Sequence, residues 1–227
     1  MKMLIFKAKE GYNIIAPYYD SWYWQRFWQE NEKPLLEKWM YTIDVGKGAD
    51  FGAGSGNSLL PFLKRGDEVD AYDISSNMLS ICREKHFEYF NLGRLNCYNL
   101  DVRKVKIDKR VYDWIICNRM LSNTESVYEV ANVMSKVIKI GGECFISDVH
   151  PNHCYTYTNL TIGAFDINIE TYKHRTEDVI SAFESCGFSV MHFREYRKYE
   201  VKSSHLIKHG DDFDPVFYTL IVRYDGK

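Results

Sequence analysis

Residues Asp50 to Gly56 read DFGAGSG, three glycines at alternate positions behind an acidic residue. Alternate glycines strip the chain of side chains where a ligand or another stretch of backbone must come close. GADFGAG reads as a first strand running into this turn. NSLLPFLKRG follows as a short helix closed by Gly66, with Pro61 early enough to be tolerated. A strand, a glycine turn and a helix place backbone N–H groups and a helix N-terminus at the carboxyl edge of a sheet. The turn therefore bears on both the fold and what the fold holds.

Outward from the turn, short apolar runs alternate with helical segments, the rhythm of βαβ units. EVDAYDI is a second strand ending at Asp73, and SSNMLSICREKHFEYF one amphipathic helix with Met78, Ile81 and Cys82 on a shared face. LNCYNLDV is a third strand, and YDWIICN a fourth, apolar enough to be central. ESVYEVANVMSKVIKIGG reads as a helix stopped by Gly141-Gly142, before ECFISDV as the fifth strand. Residues 151–174 break the rhythm with β-rich, aromatic composition and form a cap insertion. TEDVISAFESCG is a helix with Thr176 as N-cap and Gly187 as its stop, and FSVMHFREY and VFYTLIVRY form an antiparallel pair. Residues 1–47 form a helical aromatic lid segment ahead of the 48–227 domain, with Trp24, Phe27 and Trp28 on one helical face.

The chain's 227 residues suffice for one sizeable α/β domain with a small insertion. Acids and bases are interspersed at a net charge of −2, without the basic stripe of a nucleic-acid binder, so no nucleic-acid partner is expected. Six scattered cysteines form no C-x-x-C pair, and Cys117 and Cys144 in apolar runs fit buried thiols of a reducing compartment. The first apolar run is too short for a signal-peptide core and no segment is long enough for a membrane span. A cytoplasmic protein without a membrane partner, monomer or homodimer, is expected. The 15 % aromatic content suits a pocket for an organic ligand and equally suits core filler.

Spacing separates the ligands that a glycine turn can serve. No G-x-x-x-x-G-K-[ST] stretch exists for a triphosphate. In a G-x-G-x-x-G dinucleotide fingerprint counted from Gly52, the third glycine position falls on Asn57, and no tyrosine has a lysine four residues on. What remains is acidic-x-Gly-x-Gly-x-Gly. This resembles motif I of the class I S-adenosylmethionine-dependent methyltransferases, small-molecule type. The likeness runs through Asp73 at the second strand's tip, LDV at 100–102, YDWIICNRMLSN, KIGGECFISDV and the closing strand pair. It implies an α/β fold with a seven-stranded, mostly parallel Rossmann-like sheet, helices on both faces and an antiparallel last strand.

The resemblance also implies a cofactor site for S-adenosyl-L-methionine, with S-adenosyl-L-homocysteine as product. Asp50, Gly52, Ala53, Gly54 and Gly56 would hold its methionine end, with Tyr19 of PYYD at the carboxylate. Asp73 would accept the ribose hydroxyls, with Ile74 and Met78 beside it. Asp101 would meet the adenine amino group, and Val102, Asn118 and Met120 would line the site.

Methyl transfer from a sulfonium is an in-line displacement that depends chiefly on alignment in a water-poor site, with a base needed only for a protonated nucleophile. CNRM is not the [DN]-P-P-[YF] of base-amine methylation, and no Pro-Cys pair is present for cytosine chemistry, which leaves a small-molecule or short-peptide acceptor. His150, past the fifth strand, is the candidate base; His153 on the same loop can substitute, and Asp148 can orient a histidine. These three lack a diagnostic metal spacing, so no metal is expected. Tyr18, Trp22, Tyr155 and Tyr172 are the candidate acceptor contacts. The other readings of the same residues are a non-catalytic cofactor-binding partner module and an NAD(P)-dependent oxidoreductase.

Overall fold

A computed structural model describes residues 2–107, 109–207 and 210–226. The chain begins with β1 (Lys2–Phe6), then α1 (Ala8–Tyr19) and α2 (Trp24–Met40). The βαβ series follows: β2 (Lys47–Phe51), α3 (Leu60–Arg65), β3 (Glu68–Asp73), α4 (Ser76–Lys85), α5 (Phe87–Asn91), β4 (Leu95–Asn99) and β5 (Tyr112–Asn118). The rest comprises α6 (Val127–Val137), β6 (Ile138–Val149), β7 (Tyr157–Ile162), β8 (Phe165–Glu170), α7 (Thr176–Ser185), β9 (Phe188–Arg197) and β10 (Pro215–Tyr224).

Seven strands form the main sheet in the order β4-β3-β2-β5-β6-β10-β9, with β5 in the middle as its apolar run predicts. β2 to β6 pair in parallel, and β10 lies antiparallel to both β6 and β9. One side of the sheet is closed by α6 and α7, which bury Val130, Met134, Val179 and Phe183 against Ile115 and Leu220. On the other side, Leu36, Trp39, Phe62 and Leu79 of the helices pack against Val69, Trp114 and Phe145. Leu36, Trp39 and Met40 lie at helical spacing, which is why α2 presents one apolar stripe to the sheet.

Three local expectations are corrected. Gly141-Gly142 does not stop α6: the helix ends at Val137 and the chain runs directly into β6. Tyr112 pairs with Ile138 but Trp114 with Glu143, so the glycines sit in a bulge, where a Cβ on Gly142 would stand 2.8 Å from the Asp113 carbonyl. The helix after β3 is broken at His86, whose ring Nε2 donates to the Gly56 carbonyl at 2.8 Å and ties the break to the glycine turn. Thr176 is the first helical residue of α7, and Arg175 holds the N-cap position.

Residues 1–47 are not wholly helical. β1 pairs in parallel with β8, which pairs antiparallel with β7, giving a second, three-stranded sheet. Ile15 and Ala16 of α1 pack on Ile167 and Ile169 of β8 and on Met78 of α4. A Cβ on Gly11 would stand 2.5 Å from Ile169, so a glycine is what lets α1 lie this close to the small sheet. The start of the chain and the 151–174 insertion thus make one layer over the carboxyl ends of the main sheet.

Candidate active site

Strand order reverses between β2 and β5, and the carboxyl ends of such a pair are where an open α/β sheet leaves a crevice. A cavity of about 920 Å³ lies there. Every residue assigned above to the cofactor borders it except Gly56. The three glycines of DFGAGSG have three different reasons to be glycine. A Cβ on Gly52 would collide with Met120, and one on Gly56 with Cys82 and His86, while one on Gly54 would meet nothing within 4 Å. Of the three, Gly54 alone leaves open space, so it is where the backbone of the turn faces the cavity uncovered.

The Gly54 N–H donates to Asp73 Oδ2 at 2.8 Å, and the Ser75 N–H to Oδ1 at 2.8 Å. Burial pushes the Asp73 carboxyl up to about 6 against these two bonds. Asp50, 2 % exposed, is raised well above the carboxylate range by burial and by the charge of Asp73. Burial also opposes the charge of Asp101, but Arg103 grips it at 3.0 and 2.7 Å and holds its pKa below the usual value. Thr124 Oγ1, buried and without a hydrogen-bond partner among the described residues, lines the same cavity.

α1 is fastened over this cavity at two points. Asn13 Oδ1 accepts from Ser75 Oγ at 2.7 Å and from the Asn77 N–H at 3.2 Å. Asp20, just past the helix, accepts from Ser55 Oγ at 2.6 Å, Asn57 Nδ2 at 3.0 Å and Lys85 Nζ at 2.6 Å. Asn57, which breaks the dinucleotide fingerprint, is thus part of the fastening.

A second cavity, about 1130 Å³, opens alongside the first. Trp22, Trp24 and Trp28 wall one side and Tyr155, Tyr157 and Tyr172 another, with Asp148, His150 and His153 on its border. Tyr18 lies outside both cavities, 48 % exposed. His150 is held at both ring nitrogens: Nδ1 accepts from the Asn152 N–H at 3.2 Å and Nε2 contacts Glu195 Oε1 at 2.9 Å. With Nδ1 accepting, Nε2 carries the proton and donates to Glu195, which leaves no lone pair for an acceptor's proton. Asp148 is 1 % exposed, accepts from the Ser122 N–H at 2.8 Å, and is pushed by burial up to about 6.

Tyr12, Tyr19, Arg119 and Asn123 border both cavities. Arg119 follows Asn118 at the end of β5 with φ +55°, a left-handed conformation that non-glycine residues rarely adopt. Its N–H still reaches the Ser147 carbonyl at 2.7 Å, so the kink leaves the sheet pairing intact while turning the side chain under the cover. The guanidinium lies 5.2 Å from the Trp28 ring, and Nη2 pairs with Glu32 at 3.2 Å. Burial works against its charge, but Glu32, with Tyr19, Tyr12 and Asp148 behind it, holds its pKa above the usual arginine value. Arg119, Asp20, Asn13 and Thr124 are among the residues at the site that sequence reasoning missed. Within CNRM, Asn118 and Met120 are read from sequence as cofactor-site residues and Arg119 between them is given no role, although a residue next to Asn118 at a strand's carboxyl end is placed to face the crevice.

The comparisons agree with this geometry. Residues 49–146 match the family model described as "Methyltransferase domain". This stretch is thus similar to a methyltransferase domain, and the sheet that contains it has the class I, Rossmann-like strand order. Enzymes of this class take their methyl group from S-adenosylmethionine. Among solved structures, the domain's fold is shared by an S-adenosylmethionine-dependent methyltransferase from Clostridium acetobutylicum, at 14 % identity and TM-score 0.69 over 95 % of this chain and 99 % of that one. A further S-adenosylmethionine-dependent methyltransferase, from Mesorhizobium loti, matches at 15 % identity and TM-score 0.66 over 84 % of this chain and 96 % of that one. The 4+2 cyclase SpnF matches at 13 % identity and TM-score 0.72 over the whole of both chains. No curated protein matches. Among the described residues, no helix is long and apolar enough to cross a membrane.

Proposed function

We propose that this methyltransferase moves a methyl group from S-adenosylmethionine to a small-molecule acceptor by in-line displacement, in the cytoplasm. The observation that carries the reading is the junction of the two cavities: a polar cradle at the glycine turn opens beside an aromatic chamber, and the two share Tyr12, Tyr19, Arg119 and Asn123. The cradle fits the cofactor. The open space at Gly54 admits its methionine end, Asp50 faces an ammonium, and Asp73, whose oxygens keep lone pairs beyond those used by Gly54 and Ser75, accepts ribose hydroxyls. Thr124 supplies a further hydroxyl. When bound, S-adenosylmethionine contributes an activated methyl group on sulfur.

The chain's own residues then have two tasks, alignment and exclusion of water. The fastening of α1 by Asn13 and Asp20 closes the cradle, and Trp22, Tyr155 and Tyr172 flank the acceptor. Removal of a proton, for acceptors that carry one, falls to Asp148, whose pKa near 6 suits a base at neutral pH. His153 is the second choice on the same loop. With both nitrogens engaged, His150 acts by positioning the loop against Glu195.

The test is a calorimetric titration with S-adenosylhomocysteine, followed by detection of S-adenosylhomocysteine formed from S-adenosylmethionine and a panel of small acceptors. Binding at micromolar affinity with acceptor-dependent product is expected. No binding at millimolar ligand would sink the reading, and binding without turnover across the panel would favour the non-catalytic module.

A further inference from the structure

Arg119 is the most heavily buried cation of the site, and only part of it is used. Nη2 meets Glu32 at 3.2 Å, whereas Nε and Nη1 are buried with no hydrogen-bond partner among the described residues. Guanidinium nitrogens carry five N–H donors and no acceptor, so Nε and Nη1 leave three donors that need oxygen. Glu32 cannot turn to supply it, because its other oxygen is held by Ser147 Oγ at 2.5 Å. Asp148 accepts from the Ser122 and Val149 N–H groups and makes no hydrogen bond to Arg119 among the described residues.

Arg119 borders both the glycine-turn cavity and the aromatic chamber. The guanidinium sits over Trp28, which lines that chamber and not the glycine-turn cavity. Besides its tyrosines, the other charged or titratable groups bordering the chamber are Asp148, His150, His153, Lys173 and His174. Glu32 already offsets much of the arginine's charge. A doubly charged phosphate would therefore be poorly compensated, while a singly charged, planar carboxylate matches both the remaining charge and the planar donor geometry. Aromatic walls on two sides call for an apolar ring or chain behind that carboxylate.

We propose that Arg119 anchors the acceptor by a carboxylate, and that the substrate class is a small aromatic or arylalkyl monocarboxylic acid. This rests on the methyltransferase reading only for the word acceptor; the carboxylate site itself stands apart from it.

Trp22, Trp24 and Trp28 report occupancy of the chamber through tryptophan fluorescence. The probes are 3-phenylpropanoate and its uncharged amide, titrated into the full chain. The wild type is expected to bind the acid at least tenfold more tightly than the amide. Arg119→Met, and the double variant Arg119→Met/Glu32→Gln that leaves no unpaired carboxylate, are expected to lose that preference. A wild type without preference, or either folded variant retaining it, overturns the proposal. So does an Arg119→Met protein that keeps the preference for the acid while its S-adenosylhomocysteine affinity falls tenfold, since the arginine would then serve the cofactor's own carboxylate. A wild type that prefers the acid but ignores S-adenosylhomocysteine would support the carboxylate site and remove the methyltransferase reading, so the two failures are distinct.

Discussion

The two cavities are built from different material. The cradle at the switch point is made of backbone, small residues and carboxylates drawn from strand ends and the turns just after them, with only Ala8, Tyr12 and Tyr19 reaching in from the N-terminal helix. The aromatic chamber is assembled from α2, the loop after β6, β7, the segment before α7 and the start of β10, which are distant in sequence. The first can be specified by one short motif because the strand and turn hold its parts in place. The second exists only once tertiary packing has brought those segments together. Under the proposed function, the cradle speaks for the methyl donor and the chamber for the receiver.

That division can be broken by experiment. The largest effect is expected from Asp148, on the chamber side. Its carboxyl titrates at about 6 in the folded protein against an ordinary 3.8. Between those values the folded chain holds a proton that the unfolded chain has lost. Stability from this group therefore falls as pH rises from about 4 to 6, and the penalty is fully present above 6. It amounts to at most about 3 kcal/mol. Asp148→Asn should make this part of the profile shallower, with the slope from Asp50 and Asp73 left in place, read by denaturant unfolding at pH 4 and pH 7.5. An unchanged pH slope would show that the chamber does not strain this acid.

Next comes Asp73→Ala, on the cradle side. It should weaken S-adenosylhomocysteine binding by about 1.5–3 kcal/mol through lost charge-assisted bonds, measured by calorimetry. The fluorescence response of the chamber to 3-phenylpropanoate should stay as it was. A loss of both would show that the cavities are one energetic unit. The smallest effect is expected from Asp20→Ala, which removes the partner of Ser55, Asn57 and Lys85 at a solvent-exposed position. A cost of about 1 kcal/mol in the same titration is expected, with faster amide exchange along α1. If exchange along α1 does not change, Asn13 alone suffices to seat the helix.

Much of the sheet was legible because its signals are local. Each strand of the parallel series is a short apolar run with a turn or helix signal after it, and β5 reads as central from Trp114 to Cys117 alone. The misses arise where a residue answers to something far away. Gly141-Gly142 looks like a helix stop, yet it relieves a clash with Asp113 across the sheet. His86 interrupts a good helical pattern to reach Gly56. β1 reads as a four-residue apolar run because its partner, β8, lies more than 150 positions on. At the site, the glycines, Asp50 and Asp73 carry their chemistry in their spacing. Arg119 carries none in sequence: its importance lies in a left-handed backbone and in Trp28 and Glu32 from α2, which no periodicity reveals.

The pairing of β1 with β8 also orders events in time. A strand at residues 2–6 cannot form its ladder until residues 165–170 have been synthesised. β2 to β6 all precede β8 in the chain and can pair with one another before it is available. The start of the chain must wait as an unpaired apolar segment while the sheet it will cover takes shape. β1 precedes every other strand of the domain and is thus among the last to be placed, and the roof of the cradle is fitted only after its floor.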